Sequence, residues 1–146
     1  MAKRADSDEH YVLNLCDEVL GLPSSRQHKF EWLRGDFSEK KRSFSYLPVD
    51  GFWEPLSLVV EFAERQHDKA VKHFDKPSVM TVSGVHRGIQ RRIYDQRRVE
   101  LVPVNGINLL VIPATAFVLK RGKIVREPGR DIEVVRALLS EAGLLA

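Results

Sequence analysis

Residues 47–67 read LPVDGFWEPLSLVVEFAERQH. Two runs rich in apolar, β-branched and aromatic residues meet at Glu54-Pro55, the pattern of two strands joined at a proline turn. Proline presets φ for the second position of a tight turn, so the turn centres between Pro55 and Leu56. This register pairs 54 with 57, 53 with 58 and 50 with 61. Each strand carries one acid, Asp50 and Glu61, and the register sets them opposite each other, roughly 5 Å apart at Cβ. Two carboxylates so close repel, and burying either one unpaired costs several kcal/mol. A divalent cation resolves the conflict, because Mg²⁺ takes hard oxygen ligands, commonly one or two carboxylates plus water and substrate phosphate. The competing reading leaves one or both acids exposed or paired with an arginine. A slip of one residue would send them to opposite faces.

Working outward, residues 1–9 read as a charged, disordered tail and 10–146 as a single domain. Residues 10–20 (HYVLNLCDEVL) fit a helix that stops at Gly21. Residues 28–34 (HKFEWLR) alternate and are expected to form a strand. GDFSEKKRS is a polar turn or loop. Residues 44–53 and 56–63 are the next two strands, which makes an antiparallel three-strand meander. Ser83 is a candidate cap for a helix running to about Leu101, ended by Pro103 and Asn105-Gly106. INLLVI, residues 107–112, reads as a buried strand. Residues 116–126 suggest a hairpin around Arg121-Gly122, and 131–142 a closing amphipathic helix. The expected fold is an α/β sandwich with a mixed sheet flanked by helices.

The 146-residue chain is 43% hydrophobic and 29% charged, an ordinary soluble globular composition. It contains no apolar run of about eighteen residues and no signal-peptide pattern at its start. Its single cysteine, Cys16, lies among Val12, Leu15 and Val19 and reads as a small core residue. That cysteine usage suits a reducing compartment, here the cytoplasm. The net charge of +3 is mildly basic, but its distribution is more telling. HRGIQRRIYDQRR, residues 86–98, holds five arginines and one histidine against one aspartate. On a helix, Arg87, Arg91, Tyr94 and Arg98 share one face. Guanidinium groups with one aromatic suit a phosphate backbone and imply no base reading. The competing reading is a solvated helix with local pairs such as Arg91–Asp95. His28, His73 and His86 read as surface residues.

An aspartate at Pro48-Val49-Asp50, ten intervening residues, then Val59-Val60-Glu61 resembles the PD-(D/E)XK nuclease superfamily. Gln66-His67, the arginines from Arg91 to Arg98, Gly106 and Leu109 to Ile112 extend the likeness to small domains related to the very-short-patch-repair endonucleases. It covers roughly residues 44–112. The resemblance implies a restriction-endonuclease-like fold and Mg²⁺- or Mn²⁺-dependent hydrolysis of DNA. Asp50 and Glu61 would then be metal ligands, with the Phe62 carbonyl as a third. The superfamily's lysine falls two residues after the glutamate, where this chain has Ala63. Gln66 and His67 are the candidate substitutes, the histidine because it titrates near neutrality. Related nucleases often bring an acid from the first helix to the metal, which makes Asp17 and Glu18 candidates, with Glu31 on the expected first strand.

The leading reading is therefore a small metal-dependent DNA endonuclease that dimerises if it cuts both strands. The alternative is an inactive DNA-binding or assembly module on the same fold. A third reading is an interaction protein without a nucleic-acid role.

Overall fold

The structure is a computed structural model that describes residues 6–64 and 87–145. In chain order the elements are α1 (Asp8–Leu20), β1 (Ser25–His28), β2 (Val49–Trp53), β3 (Leu58–Ala63), α2 (Arg87–Val104), β4 (Asn108–Pro113), β5 (Leu119–Lys120), β6 (Lys123–Ile124) and α3 (Pro128–Glu141). The main sheet has the order β1-β2-β3-β4. Its first three strands are antiparallel neighbours, and β4 lies parallel to β3. This is the expected mixed sheet, built on a meander and flanked by helices.

The proline turn is a single 3₁₀ turn, Glu54–Leu56, closed by Ser57 in the left-handed region at φ 46°. The Ser57 N–H donates to the Glu54 carbonyl at 3.0 Å. The pairs Trp53↔Leu58, Phe52↔Val59 and Gly51↔Val60 follow, which is the register read from Pro55. Successive β3 residues therefore face opposite sides of the sheet. On one side Leu58, Val60 and Phe62 pack with Trp53, with Leu13 and Cys16 of α1, and with Val135 and Leu139 of α3. On the other, Val59 packs with Leu33, Leu47 and Val102 of α2. Trp53 is fully buried and its indole N–H donates to the Leu22 carbonyl at 3.0 Å, so burial leaves no polar atom unsatisfied. Cys16 is buried, and burial pushes its thiol up to about 12, so it stays an inert core residue.

Several expectations differ from the structure, and β2 begins at Val49 rather than at residue 44. Helix α1 starts at Asp8 because Ser7 accepts the His10 N–H on its hydroxyl at 3.1 Å, an N-cap inside the expected tail. The expected strand at 28–34 lies earlier, at Ser25–His28. The alternating aromatics beyond it stack on each other instead, with the Phe30 and Trp32 rings 4.5 Å apart and 16° from parallel. Helix α2 runs through Pro103, in its last turn, and stops before Gly106 at φ 77°; its expected cap, Ser83, lies outside the described residues. The apolar run of β4 is only partly buried and, among the described residues, pairs with β3 alone; Val111 is 41% exposed. Helix α3 begins at Pro128, because proline's preset φ suits a first turn.

α1 and α3 are tied through one buried acid. Asp131 accepts the Tyr11 hydroxyl at 2.6 Å and the Glu127 N–H at 2.9 Å on one oxygen, and Arg130 approaches the other at 3.3 Å. No helix among the described residues is long and apolar enough to cross a membrane.

Candidate functional site

Beyond Gly51↔Val60 the carboxylates continue what the ladder leaves off. The Asp50 N–H donates to Glu61 Oε2 at 2.6 Å, and the Phe62 N–H donates to Asp50 Oδ2 at 2.8 Å. The two acids thus face each other across β2 and β3, each bonded to its neighbour's backbone. A backbone distortion lies beside this pair on β1. In register Asp50 faces Gln27, between the pairs Arg26↔Gly51 and His28↔Val49. Gln27 has φ 50°, a conformation that costs a non-glycine residue of order 1–3 kcal/mol. Its side-chain amide then reaches Glu9 Oε2 at 2.9 Å and Asp50 Oδ1 at 3.5 Å.

Asp50, Glu61, Phe62 and Ala63 line a cleft of about 550 Å³ together with Gln90, Arg91, Tyr94 and Arg98 of α2. The side chains drawn from the acid hairpin and from the arginine helix therefore meet in one cavity. Arg98 is the counter-charge of the acids. Its Nε lies 3.7 Å from Glu61 Oε1 and donates to the Pro48 carbonyl at 3.0 Å, while Nη1 pairs with Asp95 at 2.8 Å. Arg98 therefore already has protein partners on β2, on β3 and on its own helix. Asp95 pairs with Arg98 and not with Arg91. Arg91 differs: its Nη1 is buried at the cleft and has no hydrogen-bond partner among the described residues. A buried donor of this kind costs about 1–3 kcal/mol until something accepts from it. The Tyr94 hydroxyl accepts the Asp36 N–H at 2.9 Å, so it tethers the loop before β2. Arg87 opens α2.

The Glu61 carboxyl is pushed up to about 8, first by burial and then by the charge of Asp50; the Asp50 N–H and Arg98 offset part of this. The shift favours the protonated carboxyl. Among the described residues no three His, Cys, Asp or Glu side chains are grouped as a metal-binding set. The donors that fit a cation are two carboxylates and one carbonyl. Among the described residues, Asp50 Oδ1 and Glu61 Oε1 have only weak partners, at 3.5 and 3.7 Å. In a strand, the N–H and C=O of one residue point to the same edge. The Phe62 N–H faces Asp50, so its carbonyl faces the same way. This set fits a hard cation that keeps several waters.

Three expected acids lie elsewhere. Asp17 pairs with Arg26 at 2.7 Å, Glu31 with Arg34 at 2.7 Å, and Glu18 is exposed. The acid that α1 does bring to the cleft is Glu9. The Ser7-Asp8-Glu9 capping pattern was the available signal for it. Nothing in the sequence marks Gln27, whose role depends on a positive φ. His28 is half-buried against Phe30 and Phe52, with ring centroids 4.7 and 4.8 Å away, rather than a free surface residue. Gln66, His67, His73 and His86 lie outside the described residues.

No family model matches this chain, nor does any curated protein or solved structure.

Proposed function

We propose that this chain is a metal-dependent DNA endonuclease with a restriction-endonuclease-like fold, hydrolysing a phosphodiester in the cleft between β3 and α2. The observation that carries the reading is the facing pair Asp50 and Glu61, in one cleft with an Arg91 Nη1 that has no hydrogen-bond partner among the described residues. Asp50 Oδ1, Glu61 Oε1 and the Phe62 carbonyl would hold Mg²⁺ or Mn²⁺, which supplies a bound water of lowered pKa and a counter-charge for the phosphate. Arg91 would offer Nη1, which has no partner among the described residues, to a phosphate oxygen, and Arg87, four residues earlier in sequence, is a further candidate for the nucleic-acid backbone. Arg98 holds Glu61 in place and balances its charge. Val111 of β4, which is 41% exposed, also lines this cleft. Gln66 and His67 follow Glu61 closely enough to serve as water-positioning and proton-transfer groups. The setting would be cytoplasmic, and a homodimer would cut both strands of a duplex.

One observation favours a second reading. Ala63 lines the cleft where the superfamily has lysine, and its methyl group offers no donor. An inactive module that still binds DNA through the same cleft follows from that. The two separate by Mn²⁺ calorimetry and cleavage of a supercoiled plasmid. The enzyme reading expects one cation bound per chain and Mn²⁺-dependent nicking, with both lost in Asp50→Ala. Absence of both in the wild-type protein refutes it.

A further inference from the structure

The chain between β1 and β2 builds an arm that the proposed cleft does not use. Leu33 and Leu47 exchange a backbone bond at its root, the Leu47 N–H donating to the Leu33 carbonyl at 3.0 Å. Outward follow a Gly35 N–H to Ser45 carbonyl bond at 2.7 Å and a reciprocal Ser38–Ser43 pair at 2.9 and 3.2 Å. Arg34↔Tyr46 and Ser38↔Ser43 are the corresponding bridges. The tip turns through Arg42 at φ 52°, and residues 39–46 are all exposed. This short hairpin has no apolar core of its own, yet it displays large rings: Phe37 is 45% exposed, Phe44 49% and Tyr46 39%. The Phe37 and Phe44 rings meet edge to face at 5.2 Å, and the Arg34 guanidinium sits 5.5 Å from Phe44 and 5.7 Å from Tyr46. Lys40, Lys41 and Arg42 form the tip, against one acid, Glu39.

The arm is fastened to the cleft helix. Arg97 of α2 donates to the Arg34 carbonyl at 2.9 Å and to Asp36 at 3.0 Å, and Tyr94, which lines the cleft, takes the Asp36 N–H. A Cβ on Gly35 would lie 3.0 Å from the Tyr94 hydroxyl, so the arm and α2 are in close contact at that point.

We propose that residues 34–46 are a nucleic-acid-binding arm: Phe37 and Phe44 stack on an unpaired base while Lys40, Lys41 and Arg42 contact the flanking phosphates. The identity of the partner rests on the nuclease reading; the arm's chemistry does not. Exposed rings beside guanidinium and ammonium groups match a polymer that alternates π-faces with negative charge. The attachment to α2 would hold that polymer in a fixed relation to the cleft. A sequence-tolerant preference for single strands, bulges or frayed ends follows, because a stacked base has no ring face to offer.

The test is binding in EDTA, so that cleavage plays no part. The probe is a fluorescein-labelled duplex carrying one bulged 2-aminopurine, read by anisotropy and by quenching of the 2-aminopurine. The wild-type protein is expected to quench it. Phe37→Ala with Phe44→Ala should abolish quenching and weaken binding about 10-fold to 100-fold, because stacking contributes roughly 1–3 kcal/mol per base. Phe37→Tyr with Phe44→Tyr should retain both. Lys40→Ala, Lys41→Ala and Arg42→Ala together should flatten the slope of log affinity against log salt by about 2. If the alanine ring pair unfolds, the salt slope and the tyrosine pair carry the test. Wild-type quenching and affinity in the folded alanine pair overturn the proposal. So do losses confined to binding of anionic phosphatidylserine vesicles, which would make the arm a membrane contact. Arm-dependent binding without metal-dependent cleavage leaves the arm standing and removes the nuclease reading. Cleavage with arm-independent affinity does the reverse.

Discussion

Glu61 makes a stability prediction that follows from the fold before any activity is assumed. Burial and the Asp50 charge raise its carboxyl from 4.5 to about 8. The folded protein therefore holds this proton more tightly than the unfolded chain does, and between those two values the native state binds more protons. Stability must then fall as pH rises from about 4.5 to about 8 and level off above that. A tenfold change in proton affinity is worth about 1.4 kcal/mol, so the full effect approaches about 5 kcal/mol. The side chain keeps 16% exposure and titrates with Asp50, so a loss of about 2–4 kcal/mol is expected. Glu61→Gln removes the ionisation and keeps an oxygen that accepts from the Asp50 N–H. Urea unfolding in EDTA at pH 5.5 and pH 8.5 measures the difference. The wild-type protein should lose stability over that interval while the variant stays level, becoming the more stable of the two at pH 8.5. Saturating Mg²⁺ or Mn²⁺ at pH 8.5 should then restore about 2.7 kcal/mol to the wild type at a hundredfold excess over Kd, and nothing to the variant. Parallel pH profiles for the two proteins would refute the buried-acid argument. A level variant with no metal effect on either protein would refute only the cation site.

Three further outcomes test the same geometry. Arg98→Met removes the cation facing Glu61 and the donor to the Pro48 carbonyl; it should cost about 2–3 kcal/mol more at pH 8.5 than at pH 5.5, read by urea unfolding. Gly51→Ala drives a methyl to 3.2 Å from Leu13 and 3.3 Å from the Trp53 ring, both fully buried; a loss of about 1–3 kcal/mol is expected, with the Trp fluorescence altered. Tyr11→Phe removes a hydroxyl bond to Asp131 and should cost about 1–3 kcal/mol in thermal unfolding. Burial alone would raise the Asp131 carboxyl, but bonds from Tyr11, Glu127 and Arg130 outweigh it and lower it. The same variant should therefore also begin acid unfolding at a higher pH, as Asp131 loses part of what keeps it ionised.

Local chemistry is what the sequence determined by itself. Pro55 set the turn, the turn set the register, and the register set Asp50 opposite Glu61, because strand pairing has a fixed period once one end is pinned. Helical spacing likewise grouped Arg91, Tyr94 and Arg98 on one face, all of which line the cleft. Tertiary structure decided how those pieces act on one another. Only packing of α2 against the sheet turned Arg98 into the partner of Glu61 and left Arg91 Nη1 without one among the described residues, a distinction that identical side chains cannot carry in sequence. The apolar look of β4 concealed a partly exposed strand, at the edge of the sheet among the described residues, since hydropathy reports burial preference and not position in a sheet. Gln27 and Glu9 entered the site through a backbone kink and a helix cap, which act across eighteen residues of chain. The acids' proximity was legible because it is local. Their protonation was not, because it depends on how completely the folded chain excludes water from Glu61.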